Sequence, residues 1–167
     1  MWTDRPESRS RSYSDYEQIR KEKWRRYLQT IRDAYAIFLP LLEAGNRLSP
    51  YEIGIEWNFT PIERNVWEEI RCLGLPLYPQ VPVGPYFIDF ADPKRKIAIE
   101  VDGRRWHQDK EKDRRRERDI EKFGWRIYRI PGWLTYRMRD ESEGEEIDYD
   151  LRAFLEDVYA EHLPLKR

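Results

Sequence analysis

Three acids, Asp89, Glu100 and Asp102, fall on two strand-like runs within the stretch Tyr86 to His107, reading YFIDFADPKRKIAIEVDGRRWH. The stretch predicts two strands, 86–91 and 96–102, joined by the turn Asp92-Pro93-Lys94-Arg95. Side chains alternate along a strand. Ile97, Ile99 and Val101 therefore take one face of the second strand, and Ala98, Glu100 and Asp102 the other. Glu100 and Asp102 point the same way at its C-terminal end, where Gly103 lets the chain leave. Pairing of the two strands brings Asp89 to join them. Carboxylates gathered at one spot repel one another unless a cation lies between them, and their oxygens suit Mg²⁺ or Mn²⁺. The structural alternative is a set of strand-end acids paired with Arg104, Arg105 or Arg116. Taking carboxylates out of water on an apolar strand is costly, which favours use over packing.

The ordered set Asp89, Glu100-Val101-Asp102-Gly103 and Trp106-His107 resembles the PD-(D/E)xK nuclease superfamily. Within it, the set is most similar to very-short-patch-repair-type endonucleases and their uncharacterised endonuclease-like relatives. The likeness runs from about Phe59 to Pro131, through Thr60-Pro61-Ile62-Glu63, Trp67, Gln80-Val81-Pro82, Asp113 and Gly124-Trp125-Arg126-Ile127. It implies a restriction-endonuclease-like α/β core, a small mixed sheet flanked by helices. It also implies hydrolysis of phosphodiester bonds by water, with Asp89, Glu100 and the Val101 carbonyl holding Mg²⁺ (or Mn²⁺). Glu63 matches a glutamate at the edge of such sites, and Gln80 a polar position ahead of the acid motif. The superfamily pattern ends in lysine two positions after the second acid, where this chain carries Asp102. Asp102 cannot supply that positive charge; binding the metal, holding a second ion and orienting His107 are its open roles. His107 matches a histidine active in the very-short-patch-repair type, and a histidine titrating near neutral pH can take a proton from water. The other histidine, His162, is expected on the surface.

The chain of 167 residues suits one domain. No apolar run is long enough to span a bilayer and no signal-peptide pattern is present, so a cytoplasmic location is expected. A single cysteine, Cys72, excludes an internal disulfide and is expected in the core. Net charge is -1, yet the charges are unevenly spread. Residues 1–32 hold nine Lys/Arg against five Asp/Glu, and residues 104–118 eight against four, whereas residues 140–161 hold ten acids and one arginine. A basic front of this kind attracts phosphates. Arg104, Arg105, Lys110, Arg114 and Arg115 are the candidate nucleic-acid contacts, with DNA the expected partner and RNA not excluded. No membrane partner is expected, and the short flanks leave room for a larger assembly.

Residues 1–13 read as a flexible basic tail. A helical appendage at 14–57 begins with a helix at Ser14, with Ile19, Trp24, Leu28, Ile31, Tyr35, Phe38 and Leu42 as its apolar stripe. Pro40 is expected to kink or end this helix, and Gly45-Asn46 to close the segment. Ser49-Pro50-Tyr51-Glu52 and Thr60-Pro61-Ile62-Glu63 both carry a hydroxyl cap, a proline and a capping-box glutamate. The second launches the better helix, with Ile62, Val66, Ile70 and Leu73 on one side. The nuclease-like core at 58–135 continues with a proline-broken edge strand, Leu77–Val83. The two strands above follow, then a helix over 109–123 with Asp113, Arg116, Ile120 and Phe123 inward, and a strand over 125–130. An acidic linker and C-terminal helix at 136–167 turn Leu151, Phe154, Leu155 and Val158 inward. Two function classes remain: a metal-dependent DNA endonuclease, and an inactive nuclease-fold module that binds nucleic acid or docks a partner. Ion affinity separates them.

Overall fold

A computed structural model describes residues 13–103, 110–135 and 149–162. The elements in chain order are α1 (Tyr13–Glu43), α2 (Pro61–Cys72), β1 (Tyr78–Val83), β2 (Tyr86–Asp92), β3 (Ile97–Asp102), α3 (Lys110–Lys122), β4 (Arg126–Pro131), a 3₁₀ turn at Gly132–Thr135 and α4 (Tyr149–Ala160). The strands form a single mixed sheet in the order β1-β2-β3-β4, antiparallel except for the parallel β3–β4 pair. The proline-bearing strand β1 lies at an edge, where missing N–H donors do no harm. No helix among the described residues is long and apolar enough to cross a membrane.

The alternation of β3 divides the core. Ile97, Ile99 and Val101 join Phe90 and Ile130 in a cluster with Val66 and Ile70 of α2 and Leu155 and Val158 of α4. Ala98 joins a second cluster with Ala91, Ile31, Tyr35 and Leu42 of α1, and Ile120 of α3. Phe154 is half-buried beside the first cluster, so all four apolar residues expected inward on α4 face it. In α2 the capping box is complete: the Thr60 hydroxyl accepts from the Glu63 amide, and the Glu63 carboxylate accepts from the Thr60 amide at 2.8 Å. At the earlier echo the Glu52 carboxylate accepts from the Ser49 amide, but the Ser49 hydroxyl accepts from the Tyr51 amide rather than that of Glu52, and only a turn forms there.

Several expectations are corrected. α1 runs through Pro40 to Glu43, with the Ala44 amide still reaching the Pro40 carbonyl. Its C-terminal half is integral to the core, whereas Tyr13, Tyr16 and Trp24 are largely exposed. N-terminal to Tyr27 the stripe leaves the core, and Trp24 is 47% exposed. Cys72 is exposed. It lies two residues past Ile70, roughly 200° around the helix at about 100° per residue, so it faces away from the core. Phe123 is 54% exposed rather than inward. Its ring lies over the β1–β2 turn, where a Cβ on Gly84 would come within 2.8 Å of it. His162 is half-buried, its Nε2 2.8 Å from the Tyr128 hydroxyl, because α4 docks beside β4.

Candidate active site

The strand registers place the polar residues of the sheet. Pro79 pairs with Phe90 and Val81 with Ile88, which sets Gln80 opposite Asp89. Phe90 pairs with Ile99, the last rung before Asp89 and Glu100. Glu100 in turn is the partner of Arg129 on β4. Gln80 and Asp89 thus stand opposite on one pair of strands and Glu100 and Arg129 on the other, with the break in the ladder between them. Asp102 follows two residues on, at the end of β3.

The β2–β3 ladder pairs only Phe90, Ala91 and Asp92 of β2. Beyond Phe90 the strands part, and the Asp89 side chain fills the fork by accepting the Val101 amide at 2.8 Å. Burial pushes the Asp89 carboxyl well above the usual carboxylate range, and the neighbouring Glu100 pushes it further. The Val101 amide opposes that shift, and Glu63 of α2 adds to it. Glu100 is buried, its side chain 8% exposed, and its carboxyl is also raised, chiefly by burial. Arg116 opposes the rise through a 2.8 Å bond to Glu100. The same Nη2 donates to the Phe87 carbonyl at 2.8 Å, tying α3 to both strands.

Asp102 adds to the rise at Glu100, while its own carboxylate is paired. It accepts from Nη1 of Arg129 at 2.6 Å, and Nε of Arg129 donates to Glu117 of α3 at 2.6 Å. Among the described residues, no three Asp, Glu, His or Cys side chains come together as a ready ligand set. Gly132 keeps the chain close as β4 ends: a Cβ there would meet the Asp102 carbonyl at 2.7 Å. Gln80 has φ of 48° and is held from both sides. Its carbonyl oxygen accepts from Tyr27 of α1 at 2.6 Å, and its amide donates to Asn58. A non-glycine residue in this left-handed region costs about 1–2 kcal/mol, so packing around Tyr27 over-determines it.

The structure therefore brings Asp89, Glu100 and the Val101 amide together, with Glu63 near enough to act on Asp89 electrostatically and Gln80 tied to Tyr27 and Asn58. Arg114 and Arg115 are exposed on α3, and Asp113 and Arg116 face inward as expected. Arg104, Arg105 and His107, and the side chain of Lys110, lie outside the described residues. Sequence reasoning missed Arg129. The available signal was an arginine on the same strand face as Ile127, a place where strands of this core carry apolar groups.

The family model REase_MTES_1575 matches residues 62–149. Two uncharacterized proteins of Haemophilus influenzae are similar. One is 26% identical over 124 residues, covering 67% of this chain and 93% of the relative. The other is 28% identical over 89 residues, covering 52% and 57% respectively. Among solved structures, the catalytic domain of the homing endonuclease I-Bth0305I superposes with a TM-score of 0.46 at 21% identity, over 64% of this chain and 100% of that one. The family match takes in Glu63, Gln80, Asp89, Glu100 and Asp102 together with Arg116 and Arg129, over more than half of the chain. It agrees with the mixed sheet and its acids: the chain belongs to the restriction-endonuclease-like family REase_MTES_1575.

Proposed function

We propose that this chain is a metal-dependent endonuclease that hydrolyses phosphodiester bonds in DNA. The observation that carries the reading is the Asp89–Glu100 pair in the β2–β3 fork. Both carboxyls are raised by burial; Glu100 further disfavours the charge on Asp89, and Asp102 that on Glu100. Two crowded carboxylates fit a divalent ion. Mg²⁺ is commonly held by one or two carboxylates with substrate phosphate and water completing its shell, so a third side-chain ligand is not required. Asp89 and Glu100 would hold the ion, with the Val101 carbonyl as the further oxygen implied by the superfamily likeness. When bound, the ion supplies polarisation of the phosphate and of the attacking water.

The chain's own groups do the rest. The Val101 amide orients Asp89, and Arg116 orients Glu100. Glu63 and Gln80 border the pair. His107 is the assigned proton acceptor, and the likeness to very-short-patch-repair-type endonucleases supports that role. His107→Ala should remove the acidic limb of the pH–rate profile, measured under single-turnover conditions, and leave DNA affinity near its native value. An unchanged profile removes His107 from the chemistry.

Exposed Arg114 and Arg115 on α3, with Arg104, Arg105 and Lys110 before them in sequence, form the proposed phosphate-contacting surface. Arg114→Glu with Arg115→Glu should weaken duplex binding to a similar degree on every sequence, because phosphate contacts carry no base information. Native binding should weaken steeply with salt; a flat response would contradict the surface. Labelled DNA and RNA incubated with Mg²⁺ or Mn²⁺, beside an EDTA control, test the activity itself. DNA cleaved only with the ion supports it. DNA bound but uncut under all conditions supports instead the inactive nucleic-acid-binding module.

A further inference from the structure

We propose that Arg129 is the phosphate-binding cation of this site, filling the place left by the lysine that Asp102 replaces. The inference rests on the nuclease reading above and names the group that meets the substrate phosphate. Three observations carry it. Arg129 is the register partner of Glu100, so its side chain rises from the next strand beside the acid pair. Its Nη1 lies 2.6 Å from Asp102, which places a positive charge beside the position where a lysine would begin. Its Nε is held by Glu117 at 2.6 Å, so two acids fix the guanidinium, while the described residues give its Nη2 no partner.

The other inward arginine is differently placed. Arg116 is bound to Glu100 and to a backbone carbonyl through one nitrogen, and it braces α3 against the sheet. Arg129 keeps about a third of its side chain exposed, 32% against 26% for Arg116. A guanidinium matches phosphate oxygens with a planar fork and stays charged at any working pH. With Glu117 on Nε and Asp102 on Nη1, it offers the N–H groups of Nη2 pre-oriented, which limits the rotamer entropy lost on binding. Asp102 then becomes a positioning residue. An acid at the lysine position makes sense once the cation comes from β4 and needs an anchor on β3.

The test uses the full chain with Arg129→Gln, Asp102→Lys and the double variant. Two quantities are read: the single-turnover rate on labelled duplex with Mg²⁺, and the salt dependence of duplex binding in EDTA. Thermal melting serves as the folding control. Arg129→Gln should slow cleavage by about 10²- to 10³-fold, the usual effect of removing one preorganised charge-stabilising donor. It should also lower the salt slope by about 1, as loss of one phosphate contact does. The double variant, which restores a lysine after Glu100, should regain at least about tenfold over Arg129→Gln. A native rate and slope in folded Arg129→Gln, or a folded double variant no faster than it, overturns the proposal. Where the glutamine variant does not fold, Arg129→Lys decides: the slope should stay and the rate fall by about tenfold or more, because an ammonium cannot hold both acids and keep a donor pre-oriented. A native rate in that variant overturns the proposal too. If the native chain binds DNA and cuts none, the nuclease reading fails alone, and the slope still decides whether Arg129 meets phosphate.

Discussion

Asp89→Asn is expected to abolish cleavage and at the same time to raise the melting temperature of the ion-free protein near neutral pH. The first half follows from the ion: a metal polarising a phosphate supplies several kcal/mol of transition-state stabilisation, so its loss costs about 10³-fold in rate or more. Glu100→Gln should do the same. The second half follows from burial. The Asp89 and Glu100 carboxyls are both raised above their ordinary values. An acid raised by the fold favours the protonated form. Its contribution to stability is complete below the unfolded value, about 4, and is lost as pH rises through the folded value. Near neutral pH the ion-free protein therefore holds two carboxyls whose charged forms its fold disfavours. Asparagine removes one of them, and its amide oxygen still accepts the Val101 amide. Each kcal/mol recovered should raise the melting temperature by about 2–4 °C in a chain of this size. Mg²⁺ should stabilise the native protein and leave Asp89→Asn unmoved. A variant that melts below the native protein at neutral pH, with its deficit unchanged in acid, would show that Asp89 is a structural acid.

Local rules reached far into this fold. The alternation of Ile97, Ile99 and Val101 against Ala98, Glu100 and Asp102 is a property of the strand itself, and the two core clusters divide along it. The Thr60 capping box and the edge position of a strand with two prolines are equally local. What the residues did not reveal depends on partners distant in the chain. Asp102 meets Arg129, which is 27 residues away, only because β4 lies parallel to β3 in one register. The fork between β2 and β3 arises where a side chain, Asp89, replaces a backbone partner for the Val101 amide. Asp92 reads as a turn residue in the sequence. It is buried, caps the turn through Arg95, and also accepts the Tyr159 hydroxyl at 3.1 Å, anchoring α4 to the sheet. The helical periodicity of α1 identified its apolar stripe correctly but not where that stripe leaves the core.

The largest effect on folding should come from Arg116→Met. Glu100 is buried, and a 2.8 Å bond to Arg116 offsets part of the penalty on its charge. Burial works against the charge on Arg116 as well, yet the charge of Glu100 and the bond outweigh it and raise the Arg116 pKa. Removing one partner of a buried pair leaves the other uncompensated, at a cost of about 3–5 kcal/mol. The Phe87 carbonyl loses its donor in the same step. Replacing both partners is different: Glu100→Gln in the Arg116→Met background removes the orphaned charge and should recover most of the loss. The two substitutions should then be non-additive, as contacting residues are, by about 0.5–3 kcal/mol. Urea unfolding of the four proteins measures this directly. The loss in Arg116→Met should also shrink in acid, where Glu100 takes up a proton and no longer needs a counter-charge. A loss below about 1 kcal/mol, or one that Glu100→Gln does not reduce, would mean that water reaches Glu100 and that Arg116 does not hold it. The same pair then bears on catalysis. If Arg116 fixes Glu100 for the ion, Arg116→Lys should preserve stability better than methionine does. It should still bind Mg²⁺ more weakly than the native protein, because a flexible ammonium cannot reproduce the geometry of the guanidinium.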